Sequence, residues 1–224
     1  MNPRQPSAYI DIHTHAERIR EGVYIYNADP SRGVPVEPHQ FISVGLHPWS
    51  LDSVDPGKAM ESVELWAARP NVVAIGECGL DKLIATPLSL QSEFFLRHLA
   101  IAERVNKPLI VHCVRAHNEL VRLLKSARHR VPVIVHGFNN NRQIATEMLK
   151  HGLMLSFGAP LLRPEAPVRE VLAMCPEDRF FLETDDGDVA IGEIYRAAAQ
   201  CRRVDEEALS RQIRSNFVRC FDFA

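Results

Sequence analysis

No C-x-x-C pair occurs anywhere in the 224 residues, and the five cysteines (Cys78, Cys113, Cys175, Cys201 and Cys220) are scattered and odd in number. That pattern argues against a disulfide framework or a structural zinc finger and suits reduced thiols inside a cell. Long apolar runs are missing too. The opening MNPRQPSAYIDIH reaches polar residues after only a few apolar ones, so neither a signal peptide nor a membrane span is expected. No Gly-rich phosphate turn follows an early strand, which removes the main sign of a doubly wound nucleotide-binding sheet. Excess charge of one sign is also absent: 26 Lys+Arg stand against 28 Asp+Glu, a formal net charge of −2. That balance argues against a clamp that holds nucleic acid through sheer positive charge, without excluding a locally positive site. Without a long polar or single-charge run, a disordered tail is not expected either. What is present, 46% hydrophobic and 24% charged residues, describes a soluble globular chain, read as one domain over residues 1–224 and expected in the cytoplasm. No obligatory protein partner is evident.

Short runs rich in Val, Ile and Phe alternate with longer segments of helical periodicity. Strands are expected at Tyr9 to His13, Val23 to Ala28, Phe41 to Leu46, Val72 to Glu77, Pro108 to Cys113, Val131 to Gly137, Leu153 to Gly158 and Arg179 to Asp185. Helices are expected at Pro56 to Arg69, Leu88 to Asn106, Ala116 to Arg128, Arg142 to His151, Pro167 to Met174, Val189 to Arg203 and Asp205 to Phe221. Runs such as VVAIG and PLIVHC are almost continuously apolar, as in a parallel sheet covered by helices. Eight such units close into a TIM-type (β/α)8 barrel. The front end is short: only Thr14 to Gly22 separates the first two strands, and Val34 to Gln40 carries two prolines. A barrel whose first one or two outer helices are missing or irregular is the expectation.

Reactive groups of a parallel barrel sit where its strands end. Here the first strand ends in His13 and His15, the third runs into His47 and the fourth ends in Glu77. The fifth ends in His112, the sixth in His136 and the eighth in Asp185. Five of the ten histidines stand at these ends; the others (His39, His98, His117, His129 and His151) are expected on helices or loops as solvated surface residues. Residues two apart on a strand share a face, so His13 and His15 can both point to the barrel axis. Imidazoles and carboxylates converging on a water-accessible pocket describe a divalent-metal site (Zn²⁺, Mn²⁺ or Mg²⁺), and His13, His15, Glu77, His112, His136 and Asp185 exceed what one tetrahedral ion uses. Two ions are implied, with Glu77 able to bridge them. A lone strand-end histidine is more often a hydrogen-bonded structural residue; the joint pattern carries the metal reading.

The blocks H-T-H at His13 to His15, V-G-L-H-P at Val44 to Pro48, I-G-E-C-G-L-D at Ile75 to Asp81, V-H-C at Val111 to Cys113, V-H-G-F at Val135 to Phe138 and L-E-T-D at Leu182 to Asp185 resemble the TatD-like metal-dependent deoxyribonucleases. These belong to the wider amidohydrolase-type metallohydrolases. The resemblance implies that His13, His15 and Asp185 hold one metal, His112 and His136 the other, and Glu77 both. It places His47 near the bound phosphate and gives Asp81 the task of orienting the bridging water or supporting the ligands. It implies a 3′-to-5′ exonuclease on DNA ends that uses a hydroxide bridged between two metals. Three departures stand out: the short first crossover, the extra acids Asp186 and Asp188 after Asp185, and Arg115 standing three rather than two residues after His112.

In that scheme Asp185 would also accept the water's proton, and His47 would hydrogen-bond the phosphate or protonate the leaving oxygen. Phe138, Trp49 and Tyr24 are aromatics near strand ends, each better read as core or wall than as a stacking surface. A hydrolase of a lactone, amide or small phosphoester uses the same ligands and differs only in its loops. A non-catalytic metal-binding protein is the remaining alternative.

Overall fold

The computed structural model describes residues 9–16, 22–30 and 41–221. Eight strands form one parallel sheet in sequence order: β1 (Ile10–Thr14), β2 (Val23–Ala28), β3 (Phe41–Val44), β4 (Val72–Asp81), β5 (Leu109–Val114), β6 (Val133–Val135), β7 (Met154–Phe157) and β8 (Phe180–Leu182). The last strand meets the first through a parallel bridge between Thr14 and Asp185, with Asp185 N donating to His13 O at 2.9 Å and His15 N to Asp185 O at 3.1 Å. The sheet is thus a nearly closed barrel, consistent with the TIM type. Seven helices surround it among the described residues: α1 (Pro56–Ala67), α2 (Leu88–Val105), α3 (His117–Ala127), α4 (Arg142–Lys150), α5 (Val168–Met174), α6 (Ile191–Arg202) and α7 (Glu206–Phe221).

Local chemistry sets the helix ends. The Asp55 side chain accepts from Gly57 N and Lys58 N at 3.0 and 3.2 Å, with Pro56 in the first turn, and Asn141 accepts from Ile144 N at 3.1 Å. Asn106, Arg128 and Arg203 close α2, α3 and α6 in the left-handed conformation. The strands carry the core: Ile10, Ile25, Val44, Ile75, Ile110 and Ile134 have no exposure above 0%.

Eight residues, 15–22, connect β1 to β2, two strands that pair in parallel, and residues 17–21 lie outside the described residues. Among the described residues the first α-helix, α1, follows β3. The stretch Val34 to Gln40, and His39 within it, lie outside the described residues.

Three boundaries differ from expectation in ways that matter to chemistry. β4 does not end at Glu77 but runs on to Asp81, pairing Cys78, Gly79, Leu80 and Asp81 with successive residues of β5. The glycines that looked like the end of the strand permit this continuation. Gly79 has φ 149°, and a Cβ there would collide with the backbone of His112; one at Gly76, φ 133°, would meet Ile110. β6 and β8 are shorter than read, so His136 follows its strand directly and Asp185 lies three residues beyond Leu182, at φ 55°.

Candidate metal centre

The centre is assembled at the carboxyl ends of the strands, around one buried carboxylate. Between Ile75 and Cys78 the pairing of β4 with β5 slips by one residue, a bulge that accommodates Glu77; β1 slips likewise against β2 between Asp11 and Thr14, around His13. Bulges re-aim side chains beside active sites. The Glu77 backbone is held by Asn27 of β2, whose Oδ1 accepts from Glu77 N at 2.7 Å and from Ser43 Oγ at 3.1 Å.

The two oxygens of Glu77 gather separate sets of imidazoles. Oε2 lies 3.3 Å from His13 Nε2 and 3.2 Å from His15 Nε2, and both rings are 3.5 Å from Asp185 Oδ1. Oε1 lies 2.7 Å from His136 Nε2, 3.1 Å from His112 Nδ1 and 3.1 Å from His47 Nε2. His13, Glu77 and His136 form a buried floor, whereas His15 is exposed and His47, His112 and Asp185 are half-buried at the rim. All six residues expected as ligands, and His47 with them, therefore meet at one place.

Hydrogen bonds divide these imidazoles by task. His47 Nδ1 accepts from Trp49 N at 3.2 Å, so the proton of the neutral ring sits on Nε2. That makes His47 a donor toward the centre. His112 is arranged the other way: its Nε2 lies 3.3 Å from Asp81 Oδ2, leaving the Nδ1 lone pair for the side of Glu77. Asp81 also accepts from Trp49 Nε1 and from Leu83 N, each at 2.8 Å, while both of its own backbone groups are bound by Gln91 of α2.

His136 has a counterpart carboxylate that sequence reasoning missed. Glu183 is fully buried, its Oε1 accepts from Gly137 N, and the same oxygen stands 3.5 Å from His136 Nδ1. Asp11 was missed as well. Its carboxylate binds Thr184 N at 3.0 Å and Thr184 Oγ1 at 2.6 Å, tying β1 to the end of β8 where Asp185 stands. Each of these acids precedes a proposed ligand by two residues, in D-x-H and E-x-D; Asp11 interrupts an apolar run and Glu183 ends one. An acid there had no reason to be buried except to hold something polar.

Buried charge is balanced at close quarters. Burial pushes the Glu77 pKa upward, but the His136 charge and the imidazoles of His112 and His13 outweigh it and leave the carboxyl well below its ordinary range. Burial likewise opposes charge on Asp185, and His13 beside it overcomes that to leave a pKa of about 2. Burial and the His136 charge lower His13, while Asp185 and Glu77 outweigh them to bring it to about 9. His47 is lowered, chiefly by burial, and Asp11 is pushed up by burial to about 6.

A divalent ion fits this donor set. Both ring nitrogens of His13 are buried without a hydrogen bond of proper geometry, an arrangement that protein groups alone leave unsatisfied. His13, His15 and Asp185 bring three ligand atoms within 4.8 Å of one another, as do His13, Glu77 and His136, and as do His47, Glu77 and His112.

Of the remaining histidines, His98 corrects the expectation of a solvated surface residue. It is fully buried in α2, with Nδ1 2.7 Å from Phe94 O and Nε2 accepting from Leu46 N at 2.9 Å. It anchors the segment that presents His47, and burial lowers its pKa to about 4. His117, His129 and His151 are only partly exposed. Tyr24 and Phe138 are core residues, whereas Trp49 is 63% exposed. All five cysteines are free thiols, and no helix among the described residues is long and apolar enough to cross a membrane.

Comparison with known proteins agrees with this architecture. The structure superposes on the TatD homologue YjjV of Escherichia coli K12 with a TM-score of 0.81, at 22% identity over 96% of this chain and 98% of that one. It superposes on a TatD family hydrolase of Entamoeba histolytica with a TM-score of 0.75, at 15% identity. At these identities the likeness speaks for the fold. In sequence, the chain is 35% identical over 156 residues to the uncharacterized metal-dependent hydrolase YabD of Bacillus subtilis, covering 67% of this chain and 60% of that protein. It is 31% identical over 201 residues to the 3′-5′ ssDNA/RNA exonuclease TatD of Musicola paradisiaca, covering 80% of this chain and 75% of that protein. The chain thus spans less than two thirds of the Bacillus relative's length. A family model described as TatD related DNase matches residues 36–222, and the chain belongs to that family.

Proposed function

We propose that the chain is a divalent-metal-dependent phosphodiesterase that removes nucleotides from the 3′ ends of single-stranded DNA. The observation that carries this reading is the division of Glu77, whose two oxygens each face their own imidazoles. In it, His13, His15 and Asp185 would hold one ion, His112 and His136 the second, with Glu77 able to serve both. Zn²⁺, Mn²⁺ or Mg²⁺ bound there would supply water of lowered pKa and positive charge beside the scissile phosphate. The half-open rim supports a catalytic rather than a purely structural centre, since structural sites are closed by protein ligands.

The chain's own residues do the rest. Asp185, ionised and partly exposed, accepts the proton of the attacking water. The water oxygen joins phosphorus, the bond from phosphorus to the leaving oxygen breaks, and that oxygen takes up a proton from solvent. His47, with its proton on Nε2, donates a hydrogen bond to a phosphate oxygen. Asp81 and Glu183 keep His112 and His136 in the tautomers that direct their free lone pairs at the centre.

One observation favours a second reading. Asp186 and Asp188 are exposed directly after Asp185, and negative charge there suits an uncharged lactone or amide better than a phosphate backbone. Turnover of a 3′-labelled single strand, compared with a panel of lactones, amides and small phosphodiesters in the presence and absence of chelator, decides between them. Chelator-sensitive, Mn²⁺- or Mg²⁺-restored cleavage of the strand supports the proposal. Lactone or amide turnover with an intact strand overturns it.

A further inference from the structure

We infer that Trp49 is the stacking platform for the base of the terminal nucleotide, so that this centre selects single-stranded ends that carry a base. The inference rests on the phosphodiesterase reading above. Single exposed apolar residues are ordinary, and among the described residues Leu65, Leu96 and Val218 on helices and Val204 between α6 and α7 are of that kind. Trp49 and Leu83 differ in where they stand. Both are more than three-fifths exposed, at 63% and 61%, and both are fastened to Asp81. The indole Nε1 donates to Asp81 Oδ2 and Leu83 N donates to Asp81 Oδ1, each at 2.8 Å.

Trp49 is also restrained along its inner side. Its ring is edge-on to His47 at 4.9 Å between centroids and to His112 at 5.9 Å, and its backbone N–H is bound by His47 Nδ1. An exposed aromatic fixed at its polar edge, its backbone and its inner face has little freedom left to lose on stacking. Tyr24 and Phe138, the other aromatics named in the sequence beside Trp49, are buried and offer no surface. With a net charge of −2 and exposed Asp186 and Asp188 following Asp185, little attraction to the backbone is expected. Stacking supplies affinity that needs no positive groove, and it accepts any base.

Two readouts test this. In steady state, kcat/KM is measured for a single strand ending in an ordinary nucleotide and for one whose terminal nucleotide is abasic. The expected preference for the base is roughly ten-fold or more, expressed in KM. It should collapse toward unity in Trp49→Ala and survive in Trp49→Phe, which keeps a ring but loses the bond to Asp81. The second readout is intrinsic fluorescence, titrated with a phosphorothioate-protected strand. The chain has two tryptophans, and the other, Trp66, is buried. Wild type should be quenched by the base-bearing strand, more weakly by the abasic one, and Trp49→Phe by neither; the Trp49-dependent part should not change with salt. Equal kcat/KM for both ends in wild type, a preference retained in Trp49→Ala, or quenching indifferent to the base overturns the platform. Absence of any strand cleavage overturns the phosphodiesterase reading instead, and the titration still decides the platform.

Discussion

Glu183 and Asp81 make the same argument for two different histidines. A ligating imidazole needs its second nitrogen protonated and held, and a carboxylate is the strongest acceptor for that purpose. His136 Nδ1 faces Glu183 and His112 Nε2 faces Asp81. Substituting Glu183→Gln or Asp81→Asn should weaken the second ion by roughly 10- to 100-fold with little change in fold, read by metal titration and by circular dichroism. Unchanged metal affinity in both variants would remove these residues from the account.

His98 gives a prediction about stability. Its ordinary pKa of 6.5 is lowered to about 4 by burial, so between those values the unfolded chain binds a proton that the folded chain refuses. Stability contributed by neutral His98 is complete above pH 6.5 and is lost as pH falls toward 4, to the extent of roughly 3 kcal/mol. Urea denaturation from pH 7 to pH 4 should show this acid limb in wild type and a flatter one in His98→Gln. The cluster of candidate ligands was legible in the sequence because its members share a chemistry and a position at strand ends. His98 was not, because a polar residue on a helix gives no sign of which face is buried or that Leu46 N awaits an acceptor.

At the scale of the element, β4 carries the most information and was the most misread. Its G-E-C-G-L-D run looked like a strand that stops at Glu77, since glycine ordinarily weakens strands. Here the absence of a Cβ at Gly76 and Gly79 lets β4 press against β5, which brings Glu77 and Asp81 to either side of His112. Helix α2 secures the far end: Gln91 Oε1 accepts from Asp81 N at 2.7 Å, and Gln91 Nε2 donates to Asp81 O and Thr86 O at 2.9 and 2.8 Å. Gln91→Ala would leave three buried backbone groups without those partners. It is expected to cost roughly 2–4 kcal/mol in urea denaturation and to loosen Asp81 from His112. A loss under about 0.5 kcal/mol would show that water replaces the amide there. The helices themselves were legible to within a few residues, because their caps (Asp55-Pro56, Asn106, Asn141) are written locally.

For the whole molecule, a charge of −2 and a barrel whose polar floor gathers at one end lead to the expectation that nucleic acid is not gripped along its length. Binding to long duplex DNA at physiological salt without added metal is expected to be weaker than ~10⁻⁵ M, at the nonspecific end of protein–DNA affinities, as read by fluorescence anisotropy. Tight duplex binding under those conditions would mean a positive surface that the charge balance gives no reason to expect. Affinity should instead reside at the centre, and the centre depends on one carboxylate serving two sides. Elemental analysis of the purified chain beside its Glu77→Gln variant examines that dependence most directly. Two ions per chain in wild type, with both weakened together in the variant, is the predicted result; a wild type that binds one ion at saturation, or a variant that loses one and keeps the other at full affinity, would contradict it.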